Sequence, residues 1–202
     1  MSMADERNRA MATAKTDFAL ALRLAENISD AWYRCKSLAA VARFAPESEV
    51  VRIADKALSS AKLAGDAYRR VAVSAWVVCA LAERGKVDQA QKVVRSLMEE
   101  SKQIEHPISK GDALLLVWQA AGRLSQSVKQ PLLDALLASC LVANGWKSGR
   151  TMREVALIVA TEDPLQAQRI IDSMREGIYR RQAQRKFDAG QFETVRIFFD
   201  QS

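Results

Sequence analysis

The chain has 202 residues, 49% hydrophobic and 27% charged, the composition of a globular protein with a sizeable core. Eight glycines and four prolines are too few for the tight turns of an all-β fold, and no apolar run reaches the length of about 18 residues that spans a bilayer. Thirty Lys+Arg against 24 Asp+Glu give a formal charge of +6, which permits an acidic partner without demanding one.

The first residues, MSMADERNRAMATAK, lack the apolar stretch of a secretory signal, so residues 1–14 are expected to be a flexible N-terminus and the protein cytoplasmic. DFALALRLAENI then carries Ala21, Leu24, Ala25 and Ile28 at i, i+3, i+4, i+7, one face of a helix. Ser29-Asp30 is a capping signal, and Asp30-Ala-Trp-Tyr-Arg34 opens a second helix through SLAAVARFA. The pair then recurs. SEVVRIADKALSSAKL leads to Gly65 and to Asp66-Ala-Tyr-Arg-Arg70, followed by AVSAWVVCALA. Both openings read Asp-Ala-aromatic-x-Arg.

Weaker copies follow. VDQAQKVVRSLMEES precedes a helix that holds Lys110, Leu114 and Val117, and VKQPLLDALLASCLV precedes GRTMREVALIVA. Asp163-Pro164 starts DPLQAQRIIDSMRE, which precedes YRRQAQRKF. The basic residues Arg34, Arg70, Lys110, Arg150 and Arg180 mark the five copies, but the acidic residue four places earlier is lost at His106 and Trp146. Strict alternation over six residues is absent. A single helix pair cannot bury its apolar stripe, whereas stacked pairs bury a continuous core. The expectation is an all-α solenoid of about five antiparallel helix pairs, with a repeat of about 36–40 residues, in one domain over 15–202. It is expected to be more than about 65% helical.

The segments GKVDQA, DPLQAQ and AGQFET resemble the inter-repeat turn of tetratricopeptide-type repeats, and the copies resemble HEAT repeats equally well. The resemblance implies an α-solenoid that binds a protein or peptide in its groove, with no catalytic residues to carry over.

Few residues point to chemistry. His106 is the lone histidine, Cys35, Cys79 and Cys140 sit in apolar helical runs, and Glu99-Glu100, Glu162-Asp163 and Asp172/Glu176 fall on polar faces or helix starts. A general base needs a positioned partner and a metal needs converging ligands. No catalytic residue, metal site or cofactor is therefore expected, and the three thiols suit a reducing compartment. The candidate groove contacts are Arg34, Arg70, Trp32 and Tyr68, although the two arginines equally suit a structural tie to the end of the preceding helix. Trp76 and Trp118, flanked by apolar residues, read as core. A candidate basic patch comprises Arg169, Arg175, Arg180, Arg181, Arg185 and Lys186, interleaved with Tyr179.

The last segment, FETVRIFFDQS, places Phe192, Val195, Phe198 and Phe199 at i, i+3, i+6, i+7. It is expected to form a C-terminal capping helix against Ile170, Ile171, Met174, Ile178 and Phe187, or else to mediate self-association. The function expected from these features is a non-enzymatic scaffold or adaptor that binds a protein or peptide. The alternative is a basic helical-repeat protein that binds nucleic acid through phosphates. No membrane partner is expected.

Overall fold

The structure, a computed structural model, describes residues 2–143 and 145–199. Among them 74% are helical and none is in a strand, so the fold is all-α. Eleven helices are described: α1 (Met3–Thr13), α2 (Phe18–Glu26), α3 (Ala31–Phe44), α4 (Val50–Ala61), α5 (Ala67–Glu83), α6 (Val87–Ser101), α7 (Pro107–Ala120), α8 (Gln126–Ala143), α9 (Trp146–Val159), α10 (Pro164–Ser173) and α11 (Ile178–Asp188). No described helix is long and apolar enough to cross a membrane.

Local chemistry sets the boundaries. The side chains of Asp17, Asp30, Asp66 and Asp163 each accept the amide three residues on, at 2.8–3.0 Å, satisfying a donor that the helix leaves orphaned. Pro107 and Pro164 occupy the start of α7 and α10, where no amide hydrogen is needed. At the end of α11, Gly190 turns the chain with φ +65°, and the Gln191 amide reaches back to the Lys186 carbonyl at 2.8 Å. This is a Schellman stop.

Consecutive helices pack on one another, and the odd-numbered helices also pack on one another in series, α1 on α3, α3 on α5, and so on to α11. The molecule thus has two layers. The sequence groups α2–α3, α4–α5, α6–α7, α8–α9 and α10–α11 as pairs; in the structure each helix packs on both of its chain neighbours. Their shared core is centred on Leu38, Val41, Ile53, Leu81, Leu114, Leu136 and Leu157, each at most 2% exposed. The central helix α5 is buried from Val71 to Val78, as a helix flanked on all sides must be.

Two expectations are corrected. Residues 1–14 are not a flexible lead: Ser2 and Asp5 form a capping box, and Ala10 and Ala14 are buried where α1 meets α2 and α3. The tail is not a capping helix. After Gly190 the chain is no longer helical, and Phe192 and Glu193 stay near α11, the Phe192 ring 6.3 Å from that of Phe187 and the Glu193 carboxylate paired with Lys186. The rest crosses the odd-numbered helices towards α3 and α1, so the stripe read at helical spacing does not exist.

Candidate peptide groove

The tail defines the site. Its course is marked by contacts with successive odd-numbered helices. The Glu193 amide donates to the Leu157 carbonyl of α9 at 3.3 Å, while the Glu193 carboxylate pairs with Lys186 at 3.0 Å. Val195 lines a cleft of about 290 Å³ with Trp118, Leu133 and Ile158. Phe198 sits edge-on to Trp76 of α5, with centroids 5.1 Å apart and planes at 80°, the favoured geometry for an aromatic pair. The Trp76 indole N–H donates to the Phe198 main-chain carbonyl at 2.9 Å. Phe199 ends over α3, with the Arg43 guanidinium 4.3 Å from its ring, in a cleft that Met11, Lys15 and Phe44 complete. Arg43 is itself held by an ion pair with Glu83.

Helix geometry explains which side chains face the tail. Trp32, Lys36 and Arg43 fall on one stripe of α3, and Arg69, Trp76 and Glu83 on one stripe of α5, at separations of three, four or seven residues or their sums. Trp32 and Trp76 lie with centroids 6.4 Å apart. The Lys36 ammonium sits 3.9 Å from the Trp76 centroid and 4.8 Å from that of Trp32. Arg69 stands 5.6 Å from Trp32, Arg196 of the tail 5.5 Å from Trp76, and Arg7 of α1 5.7 Å from Tyr33. Burial, reinforced by Arg7 and Arg196, pushes the Lys36 ammonium down to about 8. Such cations gain from the aromatic faces, but none of these contacts cancels their charge. Glu83 is engaged with Arg43, and Glu154 of α9 with Gln119.

The candidates read from the sequence divide. Trp32 belongs to the cluster. Tyr68 packs against the core and makes none of the cluster's ring contacts; burial, then the carboxylates of Asp112 and Asp66, push its phenol up. Arg34 and Arg70 turn away from the tail to tie helices together. Arg34 donates to the Ile28 carbonyl at 2.8 Å and to Ser60 of α4 at 3.1 Å, and Arg70 donates to the Gly65 carbonyl at 2.6 Å and pairs with Glu100 of α6 at 2.5 Å. Of the basic patch, Arg180 pairs with Glu176 and Lys186 with Glu193, while Arg169, Arg175, Arg181 and Arg185 are exposed on or beside α10 and α11.

The residues that sequence reasoning missed are Lys36, Arg43, Trp76 and Arg196. Trp76 is buried, as read, but beneath the tail as well as among core residues. Burial also pushes the thiols of Cys35, Cys79 and Cys140 up to about 12, leaving them protonated at neutral pH. His106 stands at the start of α7 and makes no capping bond. Among the described residues no three metal-ligating side chains stand together. The arrangement can hold an extended backbone, seat an aromatic side chain and offer cations beside it. Comparison with family models, curated proteins and solved structures finds no match to this chain.

Proposed function

We propose that the protein is a non-enzymatic adaptor, a degenerate tetratricopeptide- or HEAT-like solenoid whose odd-helix face is a groove for an extended segment of a partner protein. One observation carries this reading: the chain's own residues 191–199 cross that face outside any helix, with a main-chain carbonyl held by Trp76 and an aromatic side chain on its ring. An indole donor aimed at a backbone carbonyl reads main chain rather than sequence, and buried Trp and Arg are the usual anchors of an interface. The free thiols suit a reducing cytoplasm as the place of action.

The test uses the full chain carrying Phe198→Ala and Phe199→Ala, which loosens the tail, and a fluorescent peptide matching residues 189–199. Anisotropy should report saturable binding, weaker to the wild-type chain and lost on adding Trp76→Ala. A loosened chain that is folded by circular dichroism yet binds no peptide would refute the groove.

A second reading rests on the four exposed arginines of α10 and α11. They favour phosphate contacts, and nucleic acid is their obvious source. On the peptide reading, DNA and RNA retention on a filter disappears by about 0.15 M salt, where the Debye length has fallen to about 8 Å. Tight retention that persists there, and falls with the four arginines neutralised, would favour nucleic acid instead.

A further inference from the structure

The tail fits the groove in shape but not in charge. Arg196 is brought beside Trp76, where Lys36 is already packed and Arg7 and Arg69 stand near, and no carboxylate among the described residues pairs with Lys36. A half-buried ammonium next to two guanidinium groups loses hydration and gains repulsion, so the charge of Arg196 opposes the tail's seating while its contact with the Trp76 ring favours it. Phe198 and the bond from Trp76 act in the other direction. The native occupant is therefore held by its aromatic side chain and main chain and resisted by its arginine.

On the reading of this face as a peptide groove, we propose that its external ligand is an extended acidic–aromatic segment, with a phenylalanine at the Phe198 position and a carboxylate at the Arg196 position, and that residues 191–199 are an intramolecular competitor that this ligand displaces. The carboxylate meets Lys36, which packs on the same Trp76 ring as Arg196, converting a repulsive site into an attractive one. The aromatic residue and the accepted indole bond are common to both occupants. The tail thus covers Trp76 in the absence of a partner and yields to one that supplies the missing negative charge.

The experiment compares two fluorescent peptides covering residues 189–199, one native and one carrying Arg196→Glu, on the full chain with Phe198→Ala and Phe199→Ala. The acidic peptide is expected to bind at least about tenfold more tightly, which is about 1.4 kcal/mol. The advantage should shrink in 0.5 M NaCl and vanish with Lys36→Met. It alone should displace the tail of the wild-type chain, read as new proteolytic cleavage between residues 189 and 197. Equal affinities, or a preference for the native peptide, would overturn the acidic ligand while leaving the groove standing. Failure of both peptides to bind a folded chain would overturn the groove itself. Equal affinities with a wild-type dimer by sedimentation would assign the groove to the tail of a second copy. Single-stranded DNA outcompeting the acidic peptide would assign it to nucleic acid. If the double alanine chain does not fold, the same ligand logic is read in cis. Arg196→Glu in the otherwise native chain should then raise the melting temperature and slow cleavage of the tail, and a fall in both would overturn the proposal.

Discussion

Arg34 and Arg70 occupy equivalent places in their helix pairs and make equivalent bonds, each donating to a carbonyl five or six residues back and to a side chain on the following even-numbered helix. Arg180 reaches back in the same way to the Met174 carbonyl. Charged donors of this kind contribute about 1.5–3 kcal/mol each. Arg70→Ala should therefore lower stability by about 1–3 kcal/mol in urea denaturation while leaving peptide affinity unchanged. Lys36 gives the opposite kind of prediction. Its folded-state value lies near 8, below the ordinary lysine value of 10.5. Between these two values the unfolded chain holds a proton that the folded chain has released, so stability rises with pH there; below both, the burial of charge costs its full amount. Lys36→Met should raise the melting temperature at pH 7 and flatten the rise in stability from pH 8 to pH 10.5. The arginine spacing was legible because both copies kept their neighbours Asp and Ala. Trp76 was not, because a groove tryptophan in the run AVSAWVVCALA has the same flanks as a core one. Nor does sequence show that Lys36 has no carboxylate partner among the described residues, since that depends on α1 and the tail.

At the scale of the element, the helices from α2 to α11 were legible from capping aspartates, glycine stops and apolar spacing, which all act within a few residues. The first and last elements were not. The α1 helix buries only alanines, whose spacing carries little apolar signal, and the tail keeps a helix-like spacing of aromatics while folding as a strap outside any helix. What decides the tail is the glycine turn after α11 and the face that lies beyond it, and only the first of these is local. The junction of α9 with α11 offers a sharper check. A Cβ added at Gly149 would come within 2.9 Å of the Tyr179 ring and 3.3 Å of its Cβ, so the base of that side chain, and α11 with it, must shift. Gly149→Ala should cost about 1–3 kcal/mol despite its gain in helix propensity, as measured by chemical denaturation.

For the whole molecule, the tail runs from the α11 end of the helix series back to the other end, bonding Phe198 to Trp76 of α5 across 122 positions of sequence and setting Phe199 against α3 and α1. In stacked helices contacts otherwise pass only between neighbours, so stability is close to a sum of local parts. Deleting residues 191–202 should lower the melting temperature and broaden the calorimetric transition, as the pairs near α3 and those near α11 lose their direct connection. A sharp transition at the wild-type temperature would mean that the tail contributes nothing to cooperativity. The tail's tether has a further consequence. A ligand fixed by a short flexible link meets its site at an effective concentration of about millimolar. A free competitor must therefore exceed a threshold: its apparent dissociation constant is raised in proportion to that local concentration divided by the tail's own intrinsic constant. The poor charge match at Arg196 weakens the intrinsic constant and so lowers the threshold. On the proposed displacement of the tail, a single side chain would set how abundant a partner must become before it opens the groove.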